Sequence, residues 1–250
     1  MIYLKQFETT QAYNAYTADT ANFVTPNVSL IEETNGVEYK PYDPYNGHTY
    51  VEIGGLKWAT MNVGANSVTD KGLYFQWGDT QGYTADQVGY GEGQKYFGWA
   101  DYKYGNGTSS PGNTGMTKYN STDGKTVLEM SDDAATAAWG GAWRMPTTAE
   151  FKALGNATNR AWTASYQGSG VAGLIFTDKT DSSKVLFFPT AGNCNNGRVL
   201  NAEVYGFYWS SSLNSNNAYS AYSLLFGSDR TNWGYGSNRS DGYVVRGVVG

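Results

Sequence analysis

The chain has 250 residues, 40% of them hydrophobic and 16% charged, with a formal net charge of −5. That length suits one large domain, or a domain with a small appendage, and an acidic balance with no basic stripe excludes a binder of the nucleic-acid phosphate backbone. The single cysteine, Cys194, excludes an intrachain disulfide and a thiolate zinc site, and the lone histidine, His48 in "PYNGHTY", reads as a surface or turn residue.

No apolar run approaches the roughly 20 residues of a membrane span, and the strand-like opening "MIYLKQF" carries no leader pattern, so neither a membrane segment nor a cleaved signal is expected. "TTQAYNAY" spaces Tyr13 and Tyr16 for a short helix, and "PNVSLIEETNGVEYKP" reads as a hairpin turning on Asn35-Gly36. The prolines and Asn-Gly of "PYDPYNG" close this small hairpin-containing N-terminal module at 1–47. A module of that size is marginal by itself and is expected to dock, as an attachment or oligomerisation element.

From 48 to 250 the chain reads as one domain. "TYVEIGGLKWATMNVG" suggests two short strands about Gly54-Gly55, and "GLYFQWGD" a buried strand ending in a turn. Residues 78–125 are rich in Gly, Tyr, Asn and Ser and predict long loops pinned by aromatic rings. Two helices follow. "SDDAATAAWGG" has Ser131 or Asp132 as N-cap and ends at Gly140; "MPTTAEFKALGN" pairs Thr147 with Glu150 in a capping box, presents Phe151 and Leu154 to the core and ends at Gly155. "GLIFTDKTDSSKVLFFP" is a hairpin, and 207–211, 221–226 and 243–248 are further strands. The fold class is therefore α+β.

The stretch "YSAYSLLFGSDRTNWGYGSNRSD" at 219–241 contains no Lys, Glu, Gln, Met or Pro. Strand alternation places Tyr222, Leu224 and Phe226 toward the helices and Ser223, Leu225 and Gly227 outward, beside a loop of Ser, Asp, Arg, Asn, Trp and Tyr. Stiff amphipathic rings among small adaptable polar groups make the chemistry of an antibody-type binding surface; solvated turns are the plainer meaning of the same composition.

"WRMPTTAEFKAL", "FFPTAG", "YWSSS", "AYSLLF" and "GYVVRGV", in this order, resemble the C-type-lectin-fold domains of the group related to the formylglycine-generating enzyme, and most of all the variable proteins that retroelements diversify in bacteria and phages. The resemblance spans about 48–250 and is looser over the N-terminal segment. It implies a C-type-lectin-like domain of mixed and antiparallel sheets, two helices and long loops. In such systems error-prone copying at adenines rewrites Asn-type codons, which cannot reach Lys, Glu, Gln, Met or Trp.

The implied variable, ligand-binding positions fall at about 190–250. They are Asn216, Asn217, Tyr219, Ser220, Ser223, Leu225, Gly227, Asp229, Arg230, Asn232, Gly234, Tyr235, Gly236, Ser237, Ser240 and Asp241, with an earlier cluster at Asn193, Asn195, Asn196 and Arg198. Tyr208, Trp209, Tyr222, Leu224, Phe226, Trp233 and Arg246 are implied as scaffold. The implied role is hypervariable ligand binding on a phage particle for host attachment, with localisation at the virion or bacterial cell surface. The implied partners are a protein or glycan on a host cell and phage structural proteins held through the N-terminal module, in an assembly that could be a homotrimer; nucleic acid and membrane are not expected partners.

Catalysis is not expected. The oxidases of this group work through paired cysteines and copper, and one thiol cannot build that ligand set. Asp132-Asp133 at a helix start reads as a capping pair, "GYGEG" at 89–93 lacks the strand–turn–helix setting of a phosphate loop, and His48 has no Ser–His–Asp arrangement around it. A carbohydrate-binding lectin module of a bacterial surface protein is the first alternative, although the Glu-Pro-Asn and Gln-Pro-Asp tripeptides of calcium-dependent sugar sites are absent, and a formylglycine-generating-type enzyme is the second, weaker one. No cofactor is expected; a structural calcium held by Asp and carbonyls in 78–125, with "WGD" a candidate donor, stays open.

Overall fold

The computed structural model describes residues 45–108, 115–214 and 216–250, all within the unit Pro44–Gly250. The N-terminal helix and hairpin expected before residue 45 lie outside the described residues. Residues 45–48, read above as the end of that module and its boundary, form a tight turn: Tyr45 N–H donates to His48 O at 3.1 Å and His48 N–H to Tyr45 O at 3.0 Å. The His48 ring stacks on Trp139 at 4.3 Å, and Trp143 Nε1 donates to Tyr45 O at 3.0 Å.

Strands β1 (Tyr50–Ile53) and β2 (Leu56–Ala59) form a hairpin. Its two turn residues, Gly54 and Gly55, both have positive φ, 63° and 81°, the geometry of a primed turn that a side chain would strain. The C-terminal strand β11 (Val248–Val249) pairs antiparallel with β2, so the last residues close a sheet ordered β1-β2-β11. Helix α1 (Ala134–Trp139) is capped by Asp133, which accepts from Thr136 N–H, and not by Ser131 or Asp132 as the sequence suggested. Those two residues belong to a preceding 3₁₀ turn, Met130–Asp132. Helix α2 (Thr148–Ala157) has the expected capping box, Thr147 Oγ1 accepting from Glu150 N–H while Glu150 accepts from Thr147 N–H. It runs two residues past Gly155, which is therefore inside the helix and not its cap.

Strands β3 (Thr158–Thr163), β4 (Gly173–Asp178) and β5 (Val185–Pro189) make an antiparallel meander. A small hairpin, β6 (Asn193–Asn195) and β7 (Arg198–Leu200), turns on Asn196-Gly197, both at positive φ. Cys194 thus sits on a strand and not in a loop, and it is fully buried. The third sheet joins β8 (Gly206–Leu213), β9 (Ser220–Phe226) and β10 (Thr231–Asn238) in the order β10-β9-β8, both pairings antiparallel. Of the stretch 243–248, Tyr243 and Val244 make single bridges to Phe75 and Tyr208, and regular pairing resumes at β11.

The described architecture is α+β, with antiparallel strands in small sheets and two α-helices among the described residues. Two large apolar clusters fill it, with a small third at Ala59, Trp143 and Val249. One gathers Phe75, Trp77, Tyr102, Tyr119, Trp209 and Tyr243; the other gathers Trp58, Phe151, Leu154, Phe188, Tyr208 and Val248. Strand β9 lies between them, giving Ala221 and Leu225 to the first and Leu224 and Phe226 to the second.

The 78–108 and 115–125 segments contain no named strand, as their composition predicts, and lean on rings. Tyr104 and Tyr119 meet edge to face at 5.7 Å and Trp77 and Tyr119 at 5.1 Å. Their polar tips are paired: Tyr102 Oη donates to Trp77 O at 2.8 Å and Trp77 Nε1 to Ser210 O at 2.8 Å, which is what makes burying them tolerable.

Candidate functional site

The β9–β10 hairpin carries most of the exposed residues that the sequence nominated. Gly227 N–H donates to Arg230 O at 3.0 Å and closes the turn. At its tip Arg230 binds Asp229 at 2.7 Å, which holds the Asp229 carboxyl below its ordinary range and the guanidinium above its own. The Arg230 guanidinium also lies over the Tyr205 ring at 5.5 Å. Strand β10 is the edge of its sheet, so Asn232, Tyr235, Gly236 and Asn238 face solvent. Between Asn232 and Tyr235 the register shifts, and Gly234 N–H donates to Asn232 Oδ1 at 3.0 Å. This bulge re-aims the side chains on either side of it. Tyr235 is 39% exposed and meets Phe207 edge-on at 6.2 Å, so its ring has a fixed base and a free phenol.

Trp233, implied as scaffold, is the anchor of this strand. Its indole packs where a Cβ on Gly155 would stand, 2.4 Å from its Cζ2, and it leans on Phe176 at 6.1 Å. A glycine inside an exposed helix ordinarily costs about 1 kcal/mol relative to alanine. Here Gly155→Ala is expected to reverse that sign: the methyl evicts the indole, and the melting temperature falls instead of rising. Differential scanning calorimetry of the single variant checks it.

The nominated residues divide by accessibility. Asn196, Arg198, Asn216, Asp229, Arg230, Asn232, Tyr235 and Gly236 are exposed; Asn195, Asn217, Tyr219 and Gly234 are half-buried. Asn214 adjoins β10, since Gly236 lies against it, whereas Asn195, Asn196 and Arg198 stand on the separate β6–β7 hairpin. Asn193, Ser220, Ser223, Leu225, Gly227, Ser237, Ser240 and Asp241 are buried, which corrects their reading as surface positions. For Ser220, Ser223 and Leu225 the reason is that β9 lies between the two apolar clusters, which cover its two faces. Leu225 faces the first apolar cluster, and Ser223 Oγ, with no exposure, meets Ser237 Oγ at 3.0 Å and donates to Tyr235 O at 3.2 Å. Tyr222, expected to pack inward with Leu224 and Phe226, is only half-buried, and its hydroxyl donates to Asn214 Oδ1 at 3.4 Å.

Asp241 lies beneath the surface layer. Asn195 Nδ2 donates to its Oδ1 at 2.6 Å, and burial pushes its carboxyl up to about 6. Burial, with Asp241 adding to it, also raises the Cys194 thiol far above its ordinary range, which disfavours the thiolate that nucleophilic or ligand chemistry needs. Asp132 is the opposite case. Burial works against its charge, but hydrogen bonds from Lys118, Tyr104, Tyr119 and Lys103 outweigh that and hold the carboxyl well below the usual range. It organises the loop base and forms no acid/base pair with Asp133, whose Oδ2 accepts from Met145 N–H at 2.8 Å. Asp79 of "WGD" accepts from Gln81 N–H at 3.1 Å in a local turn. No group of three or more His, Cys, Asp or Glu residues suited to a metal ion occurs among the described residues.

Two buried arginines hold the C-terminal segment, and one of them, Arg239, escapes the sequence reading of the site. Arg239 and Arg246 both show no exposure, and each ties the C-terminal segment to carbonyls from distant parts of the chain. Arg246 had been implied as scaffold; Arg239 had no signal beyond an arginine in a polar stretch. No family model, no curated protein and no solved structure matches this chain.

Proposed function

We propose that the protein is a ligand-binding display protein: a C-type-lectin-like scaffold that presents a diversified surface on β10 and its flanking turns, carried on a phage particle or a bacterial cell surface for attachment to a host. The observation that carries this reading is the split along 227–238. Asp229, Arg230, Asn232, Tyr235 and Gly236 are exposed, while Trp233 beside them is wedged on α2 and β9 beneath them is buried between two clusters. A stiff base lowers the cost of binding, because an interface side chain that must be immobilised costs about 0.5–1.5 kcal/mol. Several copies on one particle would raise a weak single-site affinity by roughly 10²–10⁴.

Further support comes from the antiparallel sheets, two helices and long aromatic-pinned loops of the described residues, features that the motif resemblance implies. Thiolate chemistry at Cys194 is disfavoured by its burial, which holds the thiol protonated. The ligand in this reading is a protein or glycan of the host surface, and the buried members of the nominated set are dropped from the binding face.

The test is a triple variant. Asp229→Ala, Arg230→Ala and Tyr235→Ala together are expected to abolish binding to a panel of bacterial cells, read by flow cytometry, with a nearly unchanged melting temperature. Trp209→Ala is the mirror control, losing about 3–5 kcal/mol of stability from a fully buried ring. Sequencing copies of the gene from related isolates adds an independent check: substitutions should crowd onto the exposed set, and an even scatter over the chain would sink the reading.

A further inference from the structure

A cleft of about 500 Å³ separates the β9–β10 turn from the end of α2 and the β3–β4 hairpin. Arg160, Lys179 and Arg230 line it against one carboxylate, Asp229, in a chain whose net charge is −5. Asp229 is already bound to Arg230 at 2.7 Å, so two cations face the cleft without a counter-charge. Lys179 Nζ donates to Asn156 O at 2.7 Å, which fixes the ammonium at the rim. Arg160 has no ion pair among the described residues; its guanidinium lies 5.2 Å from the Trp233 ring centre. Stacking engages the flat face of a guanidinium and uses none of its N–H donors. Trp162, two residues along β3 and so on the same side of the strand, is half-buried and lines the same cleft.

We propose that this cleft binds a saccharide bearing a carboxylate, with Arg160 taking the carboxylate and the Trp162 indole taking a face of the sugar ring. The planar fork of an arginine matches a carboxylate in two parallel hydrogen bonds. A half-buried indole offers apolar area to the C–H face of a pyranose, and the Thr231 hydroxyl at the wall suits sugar hydroxyls. The volume lies in the range of small-ligand sites. An acidic peptide would use the charge and leave the indole and the hydroxyl without a task, which is why the saccharide is favoured. The proposal deepens the display reading and rests on it only for the Gly227–Arg230 turn; Arg160, Trp162 and Lys179 lie outside the nominated face.

The experiment is an NMR titration of the full chain with methyl glucuronoside, methyl glucoside and a glutamate-rich peptide. The expected result is saturable binding of the glucuronoside with shifts at the Trp162 indole, and at least ten-fold weaker binding of the glucoside. Arg160→Ala and Trp162→Ala should each lower glucuronoside affinity at least ten-fold, with the dispersed NMR spectrum of Arg160→Ala showing that the fold is kept. Equal binding of the two glycosides, no binding of the glucuronoside, or an unchanged affinity in Arg160→Ala would overturn the proposal. So would tighter binding of the peptide with Trp162→Ala without effect, which would assign the cleft to acidic protein segments. Failure of the display reading is separable, because Tyr235→Ala should lose cell binding and keep the glucuronoside.

Discussion

Replacing Arg239 with alanine is expected to lower the stability of the protein by about 3–5 kcal/mol, a large share of the roughly 5–15 kcal/mol that holds a domain together. The side chain has no exposure and no carboxylate partner among the described residues. Its charge is met by dipoles and rings. Nε donates to Tyr102 Oη at 2.8 Å, Nη1 to Tyr119 O at 3.1 Å and to Ala218 O at 2.8 Å, and Nη2 to Lys118 O at 2.9 Å. The guanidinium stands 4.8 Å from the Trp77 ring centre and 5.3 Å from that of Tyr102. Alanine leaves these acceptors buried without a donor, at about 1–3 kcal/mol for each that water cannot reach, and opens a void among the rings of Trp77, Tyr102 and Tyr119.

Lysine is a weaker repair than its charge suggests. Its ammonium is a compact point with three donors and cannot span carbonyls from residues 118, 119 and 218 together. Arg239→Lys is therefore expected to fall between wild type and alanine. Urea denaturation midpoints of the three proteins, at constant m-value, check the order. A wild-type midpoint in the alanine variant would mean that water satisfies the loop carbonyls and that the guanidinium is not what joins the end of β10 to them. Because Arg239 directly follows β10, the same substitution should also weaken cell binding, at a position that no ligand touches.

The sequence made some of these features readable and hid others for physical reasons. Local chemistry was legible: Gly54-Gly55 turns a hairpin, Thr147 and Glu150 start α2, and Phe151 and Leu154 face inward. What failed depended on contacts remote in sequence. "SAYSLLF" alternates loosely enough to suggest an inside and an outside, but β9 lies between two apolar clusters, so both of its faces are covered and Ser223 and Leu225 are buried along with Leu224. "TNWGYGSN" is poor in strand formers, and it became β10 because pairing with β9 and the docking of Trp233 on α2 outweigh intrinsic preference.

The candidate site was half legible for the same reason. Composition marks a stretch as interface-like, but only the sheet order decides which members face water, and Asn232 and Ser237 on one strand end on opposite sides of that decision. The cleft was not legible at all, because Arg160 and Trp162 stand some seventy residues before the turn that completes it. Neither was the Arg239 staple, since an arginine in a polar stretch has the same local signature whether it is solvated or buried.

Asp241→Asn is expected to stabilise the protein at neutral pH, by up to about 3 kcal/mol, and to remove part of its pH dependence. The carboxyl is raised from an ordinary 3.8 to about 6, burial being the main cause, with the Asn195 and Tyr243 hydrogen bonds opposing it. The sign follows from which state holds the proton. Below about 3.8 both folded and unfolded chains carry it, and Asp241 disturbs nothing. Between about 3.8 and about 6 the unfolded chain releases the proton while the folded chain retains it, so stability falls as pH rises, at up to 1.36 kcal/mol per pH unit. Above about 6 the loss is complete and constant.

Asparagine keeps an oxygen for Asn195 Nδ2 and carries no charge, so it preserves the neutral form at every pH. Asp132 and Glu150, both lowered, contribute the opposite slope below the ordinary carboxylate range, and both are common to the two proteins. The difference between wild type and variant, measured by urea denaturation from pH 4 to pH 8, therefore isolates Asp241. It should be near zero at the acid end, grow through the window between, and level off above about 6. A flat difference across that window would mean that the carboxylate reaches water in the folded protein, and that the junction of β6 with the segment after β10 is more open than its Cys194–Gly242 pairing indicates.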